Sequence, residues 1–212
     1  MKKNIILLIS AFMLSIAGYA QQDPAALAIL DAMSQKYQSI PAFTADFSYI
    51  MENPEEGIDE KFEGKITVMD DKYKLEMSGQ EIINDGIAVW TFLEEDNEVT
   101  ISEYDDSEEE ITLSNIFSIY KEGYKYLLSE SLENGQIDVV DLVPEDRDKT
   151  FFKIRMEIIK AKNELRSFRI FDKSGSRFLY KINEFAENSA ITAQDFKFDE
   201  SKHPGVEVLD FR

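Results

Sequence analysis

The 212-residue sequence contains no cysteine. That excludes disulfides, thiolate metal sites, a cysteine nucleophile and a lipidated N-terminal cysteine. One histidine, His203, excludes most histidine-based metal clusters, and it lies in the turn signature Lys202-His203-Pro204-Gly205. Bases are scarce: 23 Lys+Arg face 42 Asp+Glu, for a net charge of −19. A body this acidic repels phosphate backbones and anionic membrane surfaces, which argues against a nucleic-acid partner. G-x-S-x-G, H-E-x-x-H and P-loop patterns are missing, and so many carboxylates single out no acid pair. The reading is a non-enzymatic chain with no metal and no cofactor.

The longest apolar run is Ile5 to Ile16, broken only by Ser10 and Ser15. At about 12–14 residues it is too short to span a bilayer comfortably. Lys2 and Lys3 precede it, and Gly18-Tyr19-Ala20 supplies the small residues of a cleavage site. This predicts a signal peptide over residues 1–20, cut after Ala20, and a periplasmic monomer that is not an integral membrane protein. Residues 21–212 then form a single domain carrying 21 bases against 42 acids, with 14 Phe, 8 Tyr and 5 Met.

What is there is mostly alternation. Asp23-Pro24 opens a helix as cap and first residue, with Leu27, Leu30, Met33 and Tyr37 at helical spacing before Pro41. After Pro41 the period becomes two. Phe43, Ala45, Phe47, Tyr49 and Met51 alternate with polar residues, as do Phe62, Ile66 and Val68, then Tyr73, Leu75 and Met77. Asp85-Gly86 is a hairpin signal before Ile87–Leu93, and Asp172 to Gly175 is another hairpin loop. Further strands are expected around Phe152–Ile158, Phe168–Ile170 and Phe178–Ile182, with Phe196 and Phe198 marking the last. The fold class is mainly β with helices (α+β): an incomplete antiparallel β-barrel of about ten or eleven strands, with a helical lid over an apolar cavity.

Phe47, Tyr49, Met51, Tyr73, Leu75, Met77, Trp90 and Phe92 are expected on the inner face as a cavity for an apolar ligand, where flexible Met and flat aromatics adapt to acyl chains. Leu113, Ile116, Phe117, Tyr120, Tyr124, Leu127 and Leu128 share one face of a helix, or of a helix pair bending near Gly123, which forms the lid. Between these segments, the acidic stretch Glu103 to Glu110 lacks the spacing of a calcium loop and reads as a solvated loop.

Three stretches carry a resemblance. Asp31-Ala32-Met33 through Phe43-Thr44-Ala45-Asp46-Phe47 is a helix followed by an F-x-A-x-F strand. Phe62-Glu63-Gly64-Lys65-Ile66 leads to Asp85-Gly86-Ile87-Ala88-Val89-Trp90-Thr91-Phe92, and Phe196-Lys197-Phe198 leads to Pro204-Gly205-Val206-Glu207-Val208-Leu209-Asp210. Their order and spacing resemble the LolA-type periplasmic carriers of outer-membrane lipoproteins. The resemblance implies a non-enzymatic carrier of lipoprotein acyl chains, working between an inner-membrane ABC transporter and an outer-membrane receptor. That receptor has a lipidated cysteine, so its absence here points to the soluble carrier. Related folds include envelope-stress regulators and glycolipid-binding lipoproteins, so the alternatives are a carrier of another amphiphile or an interaction module. One departure stands out. Where the familiar carriers have an Arg-Pro pair that latches the lid, this sequence has Met69-Asp70-Asp71.

Overall fold

The computed structural model describes residues 22–104 and 111–212. The predicted leader and most of the Glu103–Glu110 stretch lie outside the described residues. Among the described residues one α-helix, α1 (Pro24–Gln38), precedes twelve strands. These are β1 (Ala42–Asn53), β2 (Ile58–Met69), β3 (Lys72–Met77), β4 (Gln80–Asn84), β5 (Ala88–Leu93), β6 (Glu98–Glu103), β7 (Tyr124–Leu132), β8 (Ile137–Pro144), β9 (Phe151–Ile159), β10 (Glu164–Asp172), β11 (Arg177–Glu187) and β12 (Glu207–Asp210). All belong to one sheet, ordered β12-β6-β5-β4-β3-β2-β1-β11-β10-β9-β8-β7. Adjacent strands are antiparallel except β12, which runs parallel to β6. The two ends do not pair, so the barrel is open, with one strand more than the sequence suggested.

The start of α1 follows the sequence signal and has a second role. One carboxylate oxygen of Asp23 accepts the amides of Ala25 and Ala26 at 2.9 and 3.3 Å, satisfying donors that a helix start leaves free. The other accepts the Leu128 amide at 3.0 Å. The Gln22 side chain donates to the Tyr124 carbonyl at 3.0 Å and accepts the Tyr126 amide at 3.3 Å. Strand β7 is an edge, and unpaired edge groups invite a foreign strand. Gln22 and Asp23 occupy three of them. The Leu128 and Ala25 amides hold the Asp23 carboxyl below its ordinary range.

Alternation then assigns the two sheet faces. On the inner face, Phe43, Ala45, Phe47, Ile66, Val68, Val140, Leu142, Ile154, Met156 and Phe168 are buried against Leu30, Met33 and Tyr37 of α1. The outer face is polar over most of its area. Across β4–β6 it carries a second, smaller apolar cluster beneath residues 188–206, which cross the sheet as a strap. Phe196 is fully buried there, and Phe92 lies 5.5 Å from Phe198 and 4.1 Å from the His203 ring. Phe196 and Phe198 therefore belong to the strap, Phe196 in a short 3-10 turn, and not to a final strand. The last strand is β12, which begins beyond Phe198 at Glu207.

Candidate functional site

The inner face of the sheet is the candidate site, and β1 shows how it is built. Phe47 is 1% exposed because β2 places Gly64 directly opposite. A Cβ at Gly64 would lie 2.6 Å from the Phe47 ring, so only glycine leaves room for it. Gly64→Ala should therefore force Phe47 off its rotamer and cost about 1–3 kcal/mol, read from denaturant midpoints. Unchanged stability would show that Phe47 repacks freely.

Beyond Phe47 the face is incompletely covered. Tyr49, Met51, Tyr73, Leu75 and Met77 share this face and are half-buried. Tyr49 stands among aromatic rings, with Tyr180 at 4.9 Å, Phe62 at 6.1 Å and Phe178 at 6.3 Å. Phe168 stacks on Tyr180 at 4.6 Å, closing the run on the core side. Apolar side chains are thus continuous from a closed core to a half-open surface.

Trp90 and Phe92 lie on the opposite face. Tyr73 and Leu75 pair with Asn84 and Ile82, and Ile82 pairs with Thr91, so the inner residues of β5 are Val89, Thr91 and Leu93. Trp90 opposes Ile83 on the outside, and Phe92 packs under the strap. The sequence Ala88-Val89-Trp90-Thr91-Phe92-Leu93 is apolar on both faces, so a period of two could not choose between them.

The segment expected as a helical lid covers the face without being a helix. Residues 113–118 form successive turns and Ile119–Lys121 a 3-10 turn; β7 then starts at Tyr124. The local chemistry explains this. The Asn115 side chain accepts the Thr112 amide at 3.0 Å, and the Thr112 and Ser114 hydroxyls meet at 2.6 Å, so short polar side chains take over backbone partners a helix would use. Gly123, at φ 73°, turns the chain into β7. There Tyr124, Tyr126 and Leu128 alternate inward, whereas Leu127 points outward and is 58% exposed.

Leu113, Ile116, Phe117 and Tyr120 are buried in this cover. Phe117 stacks on Tyr37 at 3.7 Å, and the Tyr120 hydroxyl donates to Asp31 at 2.6 Å. Burial, reinforced by the Asp31 carboxylate, pushes the Tyr120 phenol up to about 12. Burial alone does the same for Tyr124. The cover is thus tied to α1, and no guanidinium takes part among the described residues. Asp70 and Asp71 occupy the β2–β3 turn and line two cavities flanking the cover. One, of about 480 Å³, opens onto Tyr73, Ile82, Val89 and Thr91; the other, of about 450 Å³, onto Tyr37, Phe43 and Val68.

These features make a water-excluding surface under a cover of turns, with carboxylates at its rim. Among the described residues no group of acids and histidine could hold a metal ion. No helix among them is long and apolar enough to cross a membrane.

Comparisons with known proteins agree with this architecture. The family model for the outer membrane lipoprotein carrier protein LolA matches residues 38–199. No curated protein matches the chain. Among solved structures, an uncharacterized conserved protein from Thermus thermophilus aligns with TM-score 0.58 and 16% identity, covering 88% of this chain and 99% of that one. A LolA superfamily protein from Nitrosomonas europaea gives 0.47 and 13%, covering 82% and 98%. Mycobacterium tuberculosis lipoprotein LppX gives 0.49 and 12%, covering 81% and 99%. With its open sheet, its covered inner face and a family match over most of its length, the chain belongs to the LolA family of outer membrane lipoprotein carrier proteins.

Proposed function

We propose that the protein is a periplasmic carrier that shields the acyl chains of lipoproteins between the inner and outer membranes. The observation that carries this reading is the inner face itself. Its aromatic and aliphatic side chains run from core to half-open surface, under a cover of turns rather than a packed helix. A lipid anchor has tens of CH₂ groups at about 0.8 kcal/mol each, so it does not cross water unshielded. In the closed form, Leu113, Ile116 and Phe117 of the cover fill the space against this face. Acyl chains would displace them, exchanging one apolar contact for another at little net cost.

Native mass spectrometry of protein purified from its own periplasm should show a retained amphiphile, and a triacylated peptide should displace an acyl-chain fluorophore. Finding no bound amphiphile and no displacement would refute the carrier reading and leave the interaction module.

The rim carboxylates refine the cargo. Asp70 and Asp71 line both flanking cavities, so an anionic headgroup meets like charge where a guanidinium would attract it. Lipids of equal chain length should bind better with a neutral than with an anionic headgroup. Asp70→Asn with Asp71→Asn should close that gap in a competition assay. An unchanged preference would place the headgroup elsewhere.

A further inference from the structure

The outer face of β9–β11 breaks a rule of sheet chemistry. Arg155 and Arg169 lie directly opposite each other on neighbouring strands. Like charges so placed are destabilising. The register breaks between Leu165 and Ser167 of β10, which leaves no β9 residue directly opposite Arg166, although its guanidinium approaches Glu157 of β9 at 3.7 Å. A bulge of this kind re-aims a side chain, and Arg166 lines the same outer groove as Arg155 and Arg169. Half of the chain's six arginines thus converge on one groove of about 430 Å³.

The lining of this groove is rich in cations for so acidic a chain. Arg155, Arg166, Arg169 and Lys181 line it with two carboxylates, Glu130 and Glu157, while Asp141, Glu133 and Glu52 pair with three of these cations from outside the lining. Lys153 sits beside it, 4.3 Å above the ring of Phe171, which also lines the groove. The cations are unevenly neutralised. Arg155 is held by Asp141 through two hydrogen bonds of 2.7 and 2.8 Å, and Arg166 by Glu133 at 2.5 Å. Arg169 has only a 3.6 Å approach to Glu52, and Lys181 has no ion pair among the described residues. Lys181, which is exposed, and Arg169, which is only weakly held, are therefore the least neutralised charges in the groove.

We propose that this groove is a docking site for a short, extended, carboxylate-rich segment of a partner protein. Guanidinium forks match carboxylates bidentately. The groove is lined from β7, β9, β10 and β11 and so spans five neighbouring strands, roughly 19 Å, which is about six residues of extended chain. Net charge selects a narrow partner over a broad one. A wide anionic surface such as a bilayer meets the repulsion of the whole −19 molecule. A single strand of chain meets only the groove, within the ~8 Å screening length of physiological salt. The site faces away from the inner face and does not depend on the carrier reading.

The test uses fluorescence anisotropy of labelled hexaglutamate with the full, lipid-free protein, and hexaglutamine as the neutral control. Hexaglutamate should bind and hexaglutamine should not. The double variant Arg169→Gln, Lys181→Gln should weaken binding about tenfold or more, the scale of losing charge-assisted contacts. A second double variant, Lys197→Gln with Lys202→Gln, removes the same charge from the strap and should leave binding unchanged. Equal weakening in both variants would reduce the effect to net charge and overturn the proposal. So would absence of binding, or stronger retention on vesicles of anionic lipid than on the peptide. Both variants should keep the wild-type melting temperature, since neither removes a strong ion pair.

Discussion

Phe47→Glu should unfold the protein rather than merely empty its cavity. Phe47 is 1% exposed, sits on Gly64 and lies 6.2 Å from the Tyr180 ring. Removing a buried phenylalanine costs about 3–5 kcal/mol through lost contacts and the space left behind. A buried, unpaired carboxylate adds several more. Together these rival the whole stability of a typical domain, about 5–15 kcal/mol. Tyr49→Glu and Leu75→Glu are expected to behave differently. Both side chains lie on the same face but are half-buried, so the new carboxylate can reach water and the fold should survive. There the loss should appear in acyl-chain binding. Circular dichroism and fluorophore titration on the three variants check this division. A folded Phe47→Glu protein with weakened binding would mean that Phe47 lines the cavity directly and that the core begins deeper.

This division separates what the sequence shows from what it hides. The alternation of Phe43, Ala45, Phe47 and Tyr49 identifies a strand and its apolar face, and Asp23-Pro24 identifies the start of α1. The hairpin at Asp85-Gly86 lies between β4 and β5 as its turn chemistry suggests. What alternation cannot tell is which apolar positions are closed core and which are open surface, because both have period two. It fails altogether in β5, where both faces are apolar and Trp90 pairs with Ile83 on the outside. The helical spacing of Leu113 to Leu128 misled for a related reason. Residues buried from a meandering chain coincide with a period of 3.6 by chance. The better signals were local: Thr112, Ser114 and Asn115 favour turns, Gly123 breaks the run, and Tyr124, Tyr126 and Leu128 alternate. The arginine groove leaves no trace in a single-strand pattern, since Arg155 and Arg169 meet only through the register of β9 and β10.

The position of the cover's hydrogen bond explains how the fold can do without an arginine latch. An arginine in the β2–β3 turn would hold the cover from the sheet side. Here that turn is Asp70-Asp71, and the tie comes from the helix side, through Asp31 of α1 to Tyr120. The neighbouring Phe117–Tyr37 stack lies on the same side. The cover is therefore anchored along α1. With a hinge beside the helix, opening would widen the cavity over Tyr73, Ile82 and Val89.

Tyr120→Phe should loosen that anchor by a measurable amount. A hydrogen bond to a charged group contributes about 1.5–3 kcal/mol, so the cover should open roughly tenfold to a hundredfold more often. Amide exchange across residues 111–121 should quicken accordingly while β8–β10 stay unchanged. High pH should act on the same bond. The Tyr120 phenol has an ordinary value of 10.0 and is raised to about 12 in the fold. A group raised in this way adds stability in full below pH about 10 and loses it as the pH climbs toward 12. Deprotonation removes the donor and sets a phenolate against the Asp31 carboxylate. Tyr124, also raised to about 12, lies in the same buried cluster and adds to the effect. Between those limits the protein should bind an apolar-surface dye before its strands melt, and Tyr120→Phe should bind the dye at neutral pH and lose most of this alkaline response. Exchange across 111–121 as slow as in β9, and unmoved by the substitution or by added lipid, would make the cover permanent core and leave the inner face with no way to admit a ligand.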